Sequence, residues 1–324
     1  MDTFKKILFF ADGAKGEKAA LQRCLELAQH NGAKLTVMDV VAAVASNDKR
    51  LQPAINRLQK TLVKERKVVL EALVAEVSSA DKGKSAAKSV AKPAAIKILV
   101  TPGKDYIEVI RAVLKQGFDL LVKSANKHNA LTSTLLGNTD LSLLRKCPCP
   151  VWIIKPGRKK KIEQVLAAVD MSEEAEAQQL ASRVVSLSAV VAAREKAELH
   201  VLNAWHPAFE PHMRTMIAQD EYNRMMQMLK DKTSANLHKL VAGTAELGAS
   251  QAVTEHLEKG DPENVINDFV KSKNIDLLVM GTMSRSGIPG FLIGNTAERV
   301  LDNVDCSVLT LKPQGFKTPV EPAE

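Results

Sequence analysis

Phe118-Asp119-Leu120-Leu121-Val122 and Ile275-Asp276-Leu277-Leu278-Val279 are two copies of one buried strand, and the fold is read outward from them. Residues 118–156 and 275–313 align without a gap at a constant shift of 157, with about a third of the paired positions identical. Leu136-Gly137-Asn138-Thr139 falls on Ile293-Gly294-Asn295-Thr296, and Lys155-Pro156 on Lys312-Pro313. Upstream, Gly103-Lys104-Asp105 answers Gly260-Asp261-Pro262. At the start of each half, Ile7-Leu8-Phe9-Phe10-Ala11-Asp12 matches Val165-Leu166-Ala167-Ala168-Val169-Asp170. Self-similarity over this length means a duplicated domain.

Within each half, short aliphatic runs alternate with segments of helical period. The first half predicts strands at 6–11, 34–41, 96–101, 120–123 and 150–155. Helices are expected at 16–31, 51–77, 105–115 and after Gly137, with 81–92 as a loop. The second half predicts strands at 162–169, 197–204, 250–257, 276–281 and 306–312, and helices at 173–194, 213–247, 262–273 and 294–303. Asp261 is a helix cap and Pro262 suits the first helical position. Strands joined through helices require right-handed crossovers and a parallel sheet covered on both faces. The expectation is an α/β fold of two tandem doubly wound domains, each a five-stranded parallel sheet. Their bounds are 1–156 and 162–315, with a linker at 157–161 and a flexible tail at 316–324.

Composition agrees. A chain of 324 residues suits two cores, and with only 4% aromatics those cores must be aliphatic, as parallel sheets are. The net charge of +8 is scattered. Its one tight cluster, Arg158-Lys159-Lys160-Lys161, falls in the linker and reads as solvated connector. No arginines interleave with aromatics as in a single-strand nucleic-acid binder, so nucleic acid is not an expected partner. Cys24, Cys147, Cys149 and Cys306 make no disulfide framework. Cys147 and Cys149 are too close for a zinc knuckle; with Cys306 they read as small apolar residues leading into a last strand. The apolar run after Lys6 is too short for a signal peptide, and nothing approaches the ~18 apolar residues of a membrane helix. A cytoplasmic protein without membrane insertion is expected.

Ligands of an open parallel sheet bind beyond the carboxyl ends of its strands, where strand order reverses. At that place the second half carries Met280-Gly281-Thr282-Met283-Ser284-Arg285-Ser286-Gly287-Ile288-Pro289-Gly290-Phe291-Leu292-Ile293-Gly294-Asn295-Thr296. Glycines let backbone N–H groups turn toward a ligand, and the helix opening near Gly294 offers unpaired N–H groups at its positive end. Asn295 and Thr296 add side-chain donors. Asp12 and Asp170 close the first strand of each half, where an aspartate can hold a turn, cap a helix or meet a ligand.

This loop resembles the ATP-binding signature of the universal stress protein family: Gly, two residues, Gly, nine residues, Gly, then Ser or Thr. Here it reads Gly281, two residues, Ser284, nine residues, Gly294, Asn295. Ala297-Glu298-Arg299-Val300-Leu301 and Cys306-Ser307-Val308-Leu309 resemble the family's closing helix and strand. The resemblance implies domains of the adenine nucleotide alpha hydrolase-like type, with ATP or ADP as the ligand. Asp170 would contact the adenosine part, and Met280 and Gly281 would line the base and ribose side. Met283 and Ser284 would lie near the phosphates, with Gly294, Asn295 and Thr296 holding phosphate oxygens. The first half reads Ser124-Ala125-Asn126-Lys127-His128-Asn129-Ala130 and keeps only Gly137-Asn138-Thr139. It resembles the tandem E-type branch of the family and is expected not to bind ATP. Lys127 and His128 would fill the space or meet another anionic ligand. Single-domain relatives pair through their last strands, so the tandem would hold one such pair, with a homodimer of the tandem as a further option.

The reading that follows is a stress-response binding and regulatory protein. A P-loop, a dinucleotide Gly-x-Gly-x-x-Gly and a Ser-Gly-Gly pyrophosphatase loop are all missing, which leaves at most a weak ATPase built on Asp170 and a water. A carrier of a larger, lipid-like ligand is the alternative, framed by residues 124–136 and by Ile288, Pro289, Phe291 and Leu292. His206 and His212 read as loop residues, and Met225-Met226-Gln227-Met228 as adaptable helix packing.

Overall fold

The aliphatic runs become strands. In the computed structural model, which describes residues 4–82, 96–126, 136–157, 161–207, 210–245, 253–282 and 294–322, they form β1 (Lys6–Phe10), β2 (Lys34–Val41), β3 (Ile96–Pro102), β4 (Leu120–Ser124) and β5 (Val151–Ile154). The second set is β6 (Gln164–Ala168), β7 (Glu198–Trp205), β8 (Val253–Lys259), β9 (Leu277–Gly281) and β10 (Ser307–Leu311). The first five run parallel in the order 3-2-1-4-5, and the second five repeat it as 8-7-6-9-10. The chain divides into two compact units, one around each set. Strand order reverses beside β1 in the first unit and beside β6 in the second.

The helices of the first unit are α1 (Glu17–Asn31), α2 (Gln52–Lys82), α3 (Asp105–Gln116) and α4 (Asn138–Lys146). Those of the second are α5 (Ala175–Glu195), α6 (Glu210–Met216), α7 (Gln219–Ala245), α8 (Pro262–Ser272) and α9 (Asn295–Asn303). Each central strand is buried on both faces: Ile7, Leu8 and Phe9 in β1 and Val165, Leu166 and Ala167 in β6 are all 0% exposed. Among the described residues no helix is long and apolar enough to cross a membrane.

The duplication extends to individual bonds. Asp119, just before β4, accepts from the backbone N–H groups of Lys5 and Lys6 at 2.7 and 3.0 Å. Asp276, before β9, accepts from those of Glu163 and Gln164 at 2.9 and 3.1 Å. One carboxylate in each unit thereby sets the register of the central strand against its neighbour. Gly103 and Gly260 follow β3 and β8 with φ of 150° and 153°, where an added Cβ would meet Glu108 Cγ at 2.5 Å and Val265 Cγ2 at 2.9 Å. Only glycine serves there.

Several boundaries depart from the sequence expectations. The helix expected at 213–247 is two helices, α6 and α7, parted after Met216. Asp220 and Glu221 lie in the first turn of α7, which favours a new helix start there. The break also lets the Tyr222 hydroxyl reach Glu210 Oε1 at 2.5 Å, a carboxylate that takes Lys259 Nζ at 2.6 Å as well. β8 occupies Val253–Lys259 rather than 250–257, and α2 runs on to Lys82, into the segment expected to be a loop. Phe316–Glu324, expected as a flexible tail, groups with the first unit, where Arg111 Nε donates to the Glu321 carbonyl at 3.2 Å.

All four cysteines are buried thiols, with Cys147 and Cys149 Sγ 3.5 Å apart. Burial pushes the Cys24 thiol up; at Cys149 the hydrogen bond to Cys147 does so first, then burial. Both therefore stay protonated and unreactive. In the Met-rich run Met226 is buried and Met228 is 72% exposed, so only part of that run packs inward.

A histidine pair fastens β8 to the second sheet. Gln164 Nε2 donates to Glu198, which leaves its Oε1 to accept from His200 Nε2 at 2.8 Å. His200 Nδ1 then accepts from His256 Nε2 at 3.1 Å, and the Phe269 ring lies edge-on to both imidazoles. That arrangement needs the His200 ring neutral, since its Nδ1 accepts. Burial holds both pKa values below the usual 6.5, with Lys273 adding to it and Glu198 opposing at His200. A depressed histidine pKa stabilises the fold fully above the unfolded value and is lost as pH falls from there through the folded value.

Two outcomes follow. The unfolding free energy from urea titration should fall between about pH 7 and about pH 5, with a shallower slope in His256→Phe; an unchanged slope refutes the pairing. Asp276→Ala should lose about 1–3 kcal/mol of unfolding free energy as two strand N–H groups lose their acceptor.

Candidate functional site

The carboxyl edge of the second sheet is built around the reversal beside β6. Ala168 pairs with Met280, so Asp170 and Gly281 leave the sheet at the same edge. Val169 N–H donates to the Leu202 carbonyl at 3.0 Å, and Asn203 Nδ2 donates to the Val169 carbonyl at 2.9 Å, which pins the end of β6 to β7. Asp170 follows with an exposed side chain whose Oδ1 accepts from Ser172 N–H at 3.1 Å, a turn that presents the carboxylate at the edge.

Met280 is buried at the end of β9. Gly281 ends the strand, and a Cβ there would meet Leu180 Cδ2 of α5 at 2.6 Å. Its missing side chain thus admits helix α5, a role beyond the ligand approach expected from sequence. Thr282 continues the pairing with β10, its N–H and Oγ1 both donating to the Leu311 carbonyl, at 2.9 and 3.2 Å. Past the loop, Gly294 caps α9 at φ −55° and ψ 145° with no side-chain hydrogen bond to the cap, and Thr296 is exposed in the first turn. Because β9 leads into α9 and α9 returns to β10, the N-terminus of α9 stands at the carboxyl edge.

The structure therefore brings Asp170, Met280, Gly281, Gly294 and Thr296 to one edge of one sheet, with Asn295 as the first helical residue. Met283 and Ser284 lie outside the described residues, as do Lys127, His128, Ile288, Pro289, Phe291 and Leu292. His206 and His212 are exposed, His212 within α6 rather than in the loop expected there, and among the described residues no group of three His, Cys, Asp or Glu is placed to hold a metal ion.

The same edge of the first unit is built from charge. Lys123, which takes the place of Met280 in the repeat and pairs with Phe10 across the sheet, is 0% exposed. Its Nζ donates to the Ser124 carbonyl at 2.9 Å and forms ion pairs with Asp12 Oδ2 at 2.9 Å and Asp140 Oδ1 at 2.8 Å. Asn126 Nδ2 donates to Asp12 Oδ2 at 3.0 Å. Asp140, also 0% exposed, stands where the repeat has Ala297, and its Oδ2 accepts from Asn126 N–H at 2.9 Å and Gly137 N–H at 3.2 Å.

Charge spreads further along that edge. At the sixth position of β2, where β7 has Asn203, stands Asp39. Arg66 of α2 donates to Asp39 through Nε and reaches the Ala11 carbonyl through Nη2 at 3.5 Å. Burial pushes the carboxyls of Asp39 and Asp140 up, against the pull of Arg66 and Lys123. It raises Glu17 and Asp105 too, with Asp12 adding to the rise. An ammonium or carboxylate this deep needs its partner, and removing one member of such a pair costs about 3–5 kcal/mol.

The sequence reading gives Lys123 and Asp140 no role and points instead to Lys127 and His128, four and five residues beyond Lys123. Their signal was present: a lysine inside a buried aliphatic strand, and an aspartate where the repeat holds alanine.

The sequence model of the Universal stress protein family matches residues 3–155 and again 161–312. The chain is 30% identical over 244 residues to Universal stress protein E of Escherichia coli (strain K12), covering 71% of each. To the protein of the same name from Salmonella typhi it is 28% identical over 343 residues, covering 99% of this chain and 98% of the relative. Among solved structures, a functionally unknown protein from Pseudomonas aeruginosa PAO1 superposes with a TM-score of 0.63 at 23% identity, over 97% of this chain and 94% of that one. A putative universal stress protein from Pseudomonas aeruginosa UCBPP-PA14 gives 0.63 at 22%, over 97% and 95%, a likeness of fold. The chain belongs to the universal stress protein family, as a tandem of two of its domains.

Proposed function

We propose that the chain is a nucleotide-responsive regulatory protein whose second unit binds one adenine nucleotide, ATP or ADP, at the edge where β6, β9 and α9 meet. The observation that carries this reading is the start of α9. A helix opens at the strand-reversal edge with a glycine cap and no side-chain bond to that cap, beside an exposed aspartate. Helix N–H groups and the positive end of the helix dipole suit phosphate oxygens. Asp170 suits ribose hydroxyls, which donate to a carboxylate. Met280 and Gly281 stand on the base and ribose side. Met283, Ser284, Asn295 and Thr296 complete the phosphate side in this reading.

The residues at this edge bind and orient. Any hydrolysis is incidental to binding in this reading. A cytoplasmic location and a homodimer of the tandem belong to the same proposal.

Calorimetry with ATP and ADP should give micromolar binding at one site per chain. The backbone of Gly294 has φ −55°, which any residue adopts, so Gly294→Ala should fold as the parent does. It should bind at least about tenfold more weakly, a loss of roughly 1.4 kcal/mol, because the added methyl stands where phosphate approaches. Asp170→Ala should weaken binding as well. No binding at millimolar nucleotide, or binding indifferent to both substitutions, refutes the reading.

A further inference from the structure

We infer that Asp140 and Lys123 are a built-in occupant of the first unit's cleft, and that this pair keeps nucleotides out of the first unit. The inference rests on the reading of the second unit as a nucleotide site. Asp140 is the third residue of α4, as Ala297 is of α9. Its carboxylate takes the N–H groups of Gly137 and Asn126, one at the start of the helix and one just beyond β4. An anion therefore already sits at the N-terminus of α4, donated by the chain itself. Lys123 neutralises it from the floor of the cleft and reaches Asp12 at the end of β1.

The three side chains tie together the elements that must stand apart for a ligand to enter: the end of β1, the end of β4 and the first turn of α4. A nucleotide phosphate would have to displace a carboxylate from backbone donors and leave Lys123 buried between unmatched charges. The second unit has Met280 and Ala297 at these two positions, neither of which can hold an anion or a cation. Its helix start and its strand end are left for a ligand. Missing glycines in the first loop are thus the smaller part of the difference, and the charge pair is the larger.

The direct test moves the pair across the repeat. Met280→Lys with Ala297→Asp builds the same triad in the second unit, with Asp170 as its third member. Calorimetry with ATP should find one site per chain in the parent and at least a hundredfold weaker binding in this variant, with a urea midpoint close to the parent's. If the paired variant unfolds, Ala297→Asp alone answers the question, since an aspartate is favoured in the first turn of a helix. It should weaken ATP binding at least tenfold.

A folded variant that binds as the parent does overturns the inference and leaves the second-unit site standing. So does a parent with two sites, one of them surviving Gly294→Ala. A parent that binds no nucleotide overturns the reading of the second unit, and this inference falls with it.

Discussion

A parallel sheet wound outward in both directions from one strand has an edge where two crossovers diverge, and that edge must be filled by something. In each unit the diverging strand, β1 or β6, is buried on both faces up to its carboxyl end. The backbone groups that leave the sheet there need partners. The next helix begins nearby with N–H groups that its own turns cannot satisfy. These conditions are the same in both units. What differs is the source of the satisfying groups, and most of what distinguishes the units follows from that difference.

In the second unit the edge is closed with few charges. Asn203 holds the Val169 carbonyl, Thr282 holds the Leu311 carbonyl, and Met280 and Ala297 add apolar surface. In the first unit the equivalent duties pass to ions. Arg66 and Asp39 stand at the place of Asn203, and Lys123 and Asp140 at the places of Met280 and Ala297. Each ionic group is acceptable only because another opposes it, since burial alone would discharge it. The first unit's edge is therefore filled by the chain's own ions, whereas the second unit has Met280, Ala297 and Asn203 at the equivalent positions.

The architecture was legible because the duplication repeats its strands without gaps and its punctuation residue by residue. Asp119 with Asp276, and Gly103 with Gly260, occupy matching structural roles, so each half corroborated the other. Boundaries set by local contacts were harder. The parting of α6 from α7 is accompanied by the Tyr222–Glu210 contact, which no helical period encodes. Gly281 was noticed as a ligand-side glycine, yet the close approach of Leu180 gives it a packing duty visible only once α5 is placed. Lys123 was overlooked because a strand lysine is ordinarily read as pointing to solvent. Its meaning depends on Asp140, seventeen residues away, and on Asp12, at the far end of the unit's chain.

Such a pair also constrains how the first unit could change. Losing Lys123 alone leaves the buried Asp140 and the partly buried Asp12 without their shared cation. Losing Asp140 alone leaves a buried ammonium and strips two backbone N–H groups of their acceptor. Either single step costs about 3–5 kcal/mol, a large share of the 5–15 kcal/mol that holds a domain folded. Replacing both by apolar residues removes the mismatched charge of either single step, and leaves Asp12 and two backbone N–H groups to take other partners. The charged edge and the uncharged edge are thus separated by unfavourable single substitutions. In the function proposed above, the second unit's edge answers to a ligand and the first unit's edge holds its shape whether or not the ligand is there.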